Sequence, residues 1–141
     1  MSNLPQNLNY TIDHIGIAVK NLNISIPLFE RLLNTKCYKQ EAVEGENVLT
    51  AFLKTGESKI ELLESMKKGS VIDKFIEKKG EGFHHIAFSV DNIYEEMKRL
   101  EEAGFELLHK EPKIGADNKL VCFLHPRTTN GILVEICAER G

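Results

Sequence analysis

With 141 residues, 42% hydrophobic and 28% charged, the chain has one domain's length and enough apolar material for a core, which excludes a disordered polypeptide. The formal net charge is −3 and neither sign dominates either half, so no nucleic acid and no membrane surface is expected as a partner. Three cysteines without a CxxC pair, a polar stretch from Met1 to Tyr10, and no run near the roughly 20 apolar residues of a membrane span point to a reducing compartment, the cytoplasm.

The first element is a strand, His14-Ile15-Gly16-Ile17-Ala18-Val19, rich in apolar and β-branched residues. A helix follows, with Leu28, Phe29, Leu32 and Leu33 as its apolar stripe and Pro27 near its first turn, where a missing N–H is harmless. Residues 38–43 are a weakly marked strand. Residues 48–53 and 59–63 are stronger ones, joined by the turn Thr55-Gly56-Glu57-Ser58. Residues 70–79 form a short amphipathic helix, with Val71, Ile72, Phe75 and Ile76 on its apolar face and Gly80 and Gly82 at its end.

The pattern then begins again. His85-Ile86-Ala87-Phe88-Ser89-Val90-Asp91-Asn92 repeats the opening strand, and Asp91 or Asn92 caps a helix carrying Ile93, Met97 and Leu100, closed by Gly104. Weak strand material at 105–111 precedes strands at 120–124 and 131–137, with a turn from Pro126 to Gly131. The chain is therefore an α+β domain of two βαβββ modules, about 11–65 and 82–138, with a linker helix at about 70–79. Neither module can bury a sheet face alone, so the two pair into one curved mixed sheet with helices outside and a cleft inside.

Each module places a histidine on its first strand and a glutamate on its last: His14 and Glu61, then His85 and Glu135, at nearly the same offset. Alternation puts His14 with Gly16 and Ala18 on one face, and His85 with Ala87 and Ser89, so a wall of small residues surrounds each imidazole. Taken singly, each of the four is more often structural than a ligand; their recurrence in register is what makes them a set. Related by a pseudo-twofold axis, they converge on one point. Two imidazoles and two carboxylates suit a divalent ion, Co, Ni, Zn, Mn or Mg, and leave coordination positions open. His84 would face the other way, so His85 is the expected ligand. His109 is read as a surface residue and His125 as a residue of the cleft edge.

The runs Asp13-His14-Ile15-Gly16-Ile17-Ala18-Val19, Ile60-Glu61-Leu62-Leu63-Glu64, Gly80-Glu81-Gly82-Phe83-His84-His85-Ile86-Ala87-Phe88 and Phe123-Leu124-His125-Pro126 through Gly131-Ile132-Leu133-Val134-Glu135 resemble the methylmalonyl-CoA epimerases. The resemblance covers nearly the whole chain, and the last two runs are its most specific part. It implies the vicinal oxygen chelate (glyoxalase-like) fold, a metal (often cobalt) held by His14, Glu61, His85 and Glu135, an acyl-CoA substrate and a homodimer. It also implies epimerisation by removal of a Cα proton through a metal-stabilised enolate, with Glu135 as the catalytic base. Some members carry a second carboxylate base where this chain has Thr50; Glu44 and Glu46 are near in sequence. Lys113, Lys119 and Arg127 are candidates for the CoA phosphates, although ordinary solvated charge explains each as well. Glyoxalase I (lactoylglutathione lyase) shares the ligand set, but its turn before the last glutamate differs from His125-Pro126-Arg127-Thr128-Thr129-Asn130-Gly131. A drug-binding protein of the bleomycin-resistance type would lack the ligands.

Overall fold

The structure is a computed structural model and describes residues 10–140. Eight strands make one sheet in the order β2-β3-β4-β1-β5-β8-β7-β6. The first module supplies β1 (Thr11–Ala18), α1 (Leu22–Leu33), β2 (Lys39–Val43), β3 (Val48–Thr55) and β4 (Ser58–Ser65). After α2 (Val71–Lys79), the second supplies β5 (Gly82–Ser89), α3 (Ile93–Glu102), β6 (Lys113–Ile114), β7 (Lys119–Leu124) and β8 (Val134–Glu139). β1 runs parallel to β4, β5 runs parallel to β8, and the modules join through the antiparallel pair β1–β5. The expected repeat of strand, helix and three further strands is thus present, with its two halves related across β1–β5.

The sheet curls far enough for its two ends to meet. Lys39 on the edge strand β2 reaches Asp117, in the β6–β7 connection at the other edge, at 3.0 Å, and the Asp117 N–H donates to Glu41 Oε1 at 2.9 Å. The convex face carries the larger cores. Val19, Leu22, Ala51, Leu53 and Leu62 pack with Ile26, Phe29 and Leu33 of α1. Val90, Ile93, Met97, Leu100, Leu124 and Ile136 do the same beneath α3. Burying these side chains is the main favourable contribution to folding, on the order of 1.5–3 kcal/mol each.

Local chemistry sets the helix ends. Asn21 caps α1, Ser70 caps α2, and Asn92 rather than Asp91 caps α3, its Oδ1 accepting from the Glu95 N–H at 3.1 Å. Gly104 follows α3 at φ 99°, a conformation that favours glycine.

Five sequence expectations are corrected. Pro27 is the sixth residue of α1, not part of its first turn, because Asn21 starts the helix earlier. Leu28 and Leu32 face solvent, at 48% and 69% exposure, while buried Leu22 and partly buried Ile26, Phe29 and Leu33 make the packed stripe. Val71 is exposed on α2, so Ile72 with Phe75 and Ile76 is its packed face. Residues 105–111 form no strand beyond an isolated bridge from Leu107 to Leu124 of β7; the continuous ladder with β7 begins at Lys113, after Pro112, which has no N–H to give to a ladder. The last strand also starts late, at Val134, because Asn130 and Gly131 turn through positive φ.

Candidate metal centre

Of the seven buried polar residues among those described, six line one cavity on the concave face: His14, Thr50, Lys59, Glu61, His85 and Glu135. Buried polar and charged groups are costly unless they are paired, so their concentration in one place marks a site. The cavity measures about 440 Å³. Leu63, Ile72, Val121, Phe123 and Leu133 supply apolar wall, and Ser70 to Ile72 bring α2 to its rim.

Register explains the convergence. Gly16 faces Glu61 on one side and His85 on the other; Ala87 faces Glu135 on one side and His14 on the other. The 71-residue shift that carries His14 to His85 also carries Gly16 to Ala87, and Glu135 takes the place on β8 that Glu61 takes on β4. The small residues at the centre are a packing requirement. A Cβ on Gly16 would stand 2.2 Å from His85 Cε1, so the imidazole occupies the space that any larger residue would fill.

His14 Nε2 and His85 Nε2 lie 3.0 Å apart, and Glu135 Oε1 is 3.4 Å from the first and 3.1 Å from the second. These three donors lie within 4.8 Å of one another. Glu61 belongs to a second group with Asp13 and His14, its Oε2 lying 3.2 Å from His14 Nδ1. The structure therefore brings three of the four expected ligands to one point and sets the fourth beside them. Two imidazole nitrogens and a carboxylate, facing each other in a buried cavity, fit a divalent ion, which would neutralise charge that protein alone leaves crowded.

The electrostatics are strongly coupled. Burial would raise the Glu135 carboxyl, but hydrogen bonds from His14 and His85 hold it at about 2. Burial pushes Glu61 up to about 7 against the pull of His14. Burial would lower His14, but Asp13, Glu135 and Glu61 push it to about 10. Burial and the neighbouring His85 lower His84 to about 4.

Several participants escaped the sequence reading. Asp13 Oδ2 is 2.7 Å from His14 Nδ1. Lys59, only 8% exposed, reaches Asp13 at 3.4 Å and Asp117 at 2.9 Å, and Lys119 reaches Asp13 at 3.3 Å. The Asp-His pair is visible in the sequence, but Lys59 comes from β4 and carries no pattern, and Lys119 of β7 is marked there only as a candidate for the CoA phosphates. His109, read as surface, lines the cavity, and its buried Nε2 has no hydrogen-bond partner. His125, read as cleft edge, instead caps the turn at Pro126–Thr128, accepting from the Arg127 N–H at 3.1 Å. Glu46 lines the cavity and pairs with Lys113 at 3.2 Å, whereas Glu44 lies outside the lining. Lys113 and Lys119 line the cavity; Arg127 does not, and pairs with Glu106 at 2.6 Å.

The family model of the Glyoxalase/Bleomycin resistance protein/Dioxygenase superfamily matches residues 13–123. An uncharacterised protein of Bacillus subtilis is 39% identical over 130 residues, which is 92% of this chain and 93% of that one. The ethylmalonyl-CoA/methylmalonyl-CoA epimerase of Cereibacter sphaeroides is 38% identical over 127 residues, covering 89% of this chain and 95% of the relative. Among solved structures, a Streptomyces coelicolor methylmalonyl-CoA epimerase in complex with 2-nitronate-propionyl-CoA is 31% identical, with a TM-score of 0.88 over 92% of this chain and 97% of that one.

Proposed function

The chain belongs to the Glyoxalase/Bleomycin resistance protein/Dioxygenase superfamily and, within it, to the methylmalonyl-CoA epimerases, which are isomerases; from that footing we propose that it interconverts the epimers of methylmalonyl-CoA with a divalent ion in the cavity. The observation that carries the reading is the convergence of His14, His85 and Glu135 in a buried cavity of the epimerase fold. Glu61, buried beside His14, is the fourth residue of the proposed ligand set.

The Cα–H of the substrate is acidic because it lies between a thioester and a carboxylate. When bound, a divalent ion supplies positive charge that favours loss of a proton from a carbon flanked by two carbonyl groups. Glu135 is the proposed proton acceptor, a buried carboxylate whose Oε1 stands in the cavity 3.1 Å from His85 Nε2. The product of proton loss is an enolate, planar at Cα, to which a proton can return from either face. The nitronate borne by the ligand of the Streptomyces coelicolor relative is likewise planar and anionic.

His14 and His85 hold the donors in place, and the apolar wall around Phe123 and Leu133 limits water that would compete for the enolate. Thr50 is buried in the wall and has no carboxylate to serve as a second base. The cavity between the modules is the proposed place for the acyl group.

No helix among the described residues is long and apolar enough to cross a membrane. A cobalt ion, a homodimer and a cytoplasmic location complete the proposal, all three brought by the family resemblance or the composition. The relatives reported above that carry an enzyme name are epimerases, and nothing favours a lyase. Purified protein loaded with Co²⁺ is expected to convert one epimer to the other in an assay coupled to an epimer-specific mutase, and Glu135→Gln is expected to lose that conversion while keeping its circular dichroism spectrum. Full conversion by Glu135→Gln would remove Glu135 from the role.

A further inference from the structure

We propose that His84 is a positioning residue for His85: its Nδ1 accepts a hydrogen bond from His85 Nδ1–H and so fixes His85 in the tautomer whose Nε2 lone pair faces the cavity. The inference rests on the metal-site reading above. Strand alternation would turn His84 away from His85, but the β1–β5 register breaks at this point. Gly16 faces His85 and Ile17 faces Phe83, so His84 is an extra residue with no partner of its own. Such a bulge re-aims side chains, and here it brings both imidazoles to the cavity, with His84 Nδ1 2.9 Å from His85 Nδ1.

Two ring nitrogens at that distance share one proton. If His84 were the donor, the remaining proton of a neutral His85 would sit on Nε2, directed at His14 Nε2 and Glu135 Oε1, and would block the ligand position. With His85 as donor, Nε2 is free. The arrangement recurs in the first module. Ile12 faces Phe88 and His14 faces Ala87, so Asp13 is the extra residue there, and its Oδ2 lies 2.7 Å from His14 Nδ1. Each candidate histidine ligand is thus preceded by a bulged residue that turns back onto its Nδ1, a carboxylate in one module and an imidazole in the other. Outer hydrogen bonds of this kind orient a ligating imidazole and set its tautomer. Phe75 of α2 meets the His84 ring edge to face at 4.9 Å, so the linker helix holds the positioning group.

The test compares Co²⁺ affinity, by competition with a chromophoric chelator, in wild type, His84→Leu and His84→Asn. Asn offers Oδ1 as an acceptor close to where Nδ1 stood. Leu is expected to weaken Co²⁺ binding about 10- to 100-fold and Asn to recover most of that loss. In the Zn²⁺-loaded wild type, ¹⁵N NMR should show His85 protonated at Nδ1 with a slowly exchanging proton, and His84→Leu should speed that exchange. Thermal unfolding of the metal-free variants confirms that each is folded. Equal affinity in wild type and His84→Leu overturns the proposal, as does equal weakness of the Leu and Asn variants, which would mark His84 as packing only. Failure of wild type to bind Co²⁺ at all would instead overturn the metal-site reading, and this inference with it.

Discussion

Gly16→Ala should damage the site although it adds a single methyl group. The added Cβ would stand 2.2 Å from His85 Cε1, 2.5 Å from Nδ1 and 2.9 Å from Nε2, where ordinary contact begins at 3.4 Å. The ring must therefore retreat by more than an ångström. Its surroundings resist this, because His14 and His84 meet it edge to face at 5.1 Å and Phe123 at 5.7 Å. A retreat of that size would also take Nε2 away from His14 and Glu135. Overpacking of a filled interior costs about 1–3 kcal/mol, or a fall of several degrees in Tm for a domain of this size. The opposite sign is the ordinary expectation, since Gly→Ala at an unstrained position stabilises by about 0.4–1 kcal/mol through the unfolded chain. Gly45→Ala is the control, because no heavy atom lies within 4 Å of its added Cβ. Thermal unfolding and Co²⁺ titration of both variants make the comparison. Gly16→Ala should lose stability and at least about tenfold in Co²⁺ affinity, and Gly45→Ala should lose neither. Wild-type Tm and Co²⁺ affinity in Gly16→Ala would refute the claim that the glycine exists to seat His85.

Pro27→Ala is expected to raise stability by about 1 kcal/mol or more in urea unfolding, because exposed Pro27 inside α1 denies an N–H to the Asn23 carbonyl; an unchanged midpoint would show that the helix has adapted to it. Asn92→Ala should cost about 1 kcal/mol by the same measurement, through loss of the cap on the Glu95 N–H. Light scattering at micromolar concentration should show a dimer, and a monomer would contradict that part of the proposal.

Much of this could be read from the sequence, for a physical reason. The repeat fixed which strands carry His14, Glu61, His85 and Glu135, and period-two alternation placed them on the face opposite Ile15, Ile17, Ile86 and Phe88. Alternation failed where the ladder has an extra residue. Nothing in Asp13-His14 or His84-His85 announces a bulge, so the backward turn of Asp13 and His84 was not foreseen. The Asp13–Lys59–Asp117–Lys39 chain of contacts depends on the curl of the sheet, which brings distant edges together and leaves no local pattern. His109 reads as surface because it has no counterpart in the repeat; in the structure residues 105–111 are a loop that turns the ring onto the cavity wall. Pro27 reads as part of a first turn because the exposed Leu28 and Leu32 resemble the start of a stripe that begins at Leu22.

Solvent deuterium exchange at Cα tests the central claim most directly, because it reads proton removal independently of any coupled step. Co²⁺-loaded protein is incubated in deuterated buffer with methylmalonyl-CoA and, separately, with the methylglyoxal–glutathione hemithioacetal, and products are followed by NMR and mass spectrometry. The account predicts rapid exchange at Cα of the CoA ester, loss of that exchange on chelation, its return with Co²⁺, and its near absence in Glu135→Gln. Rapid turnover of the hemithioacetal without exchange in the CoA ester would contradict it.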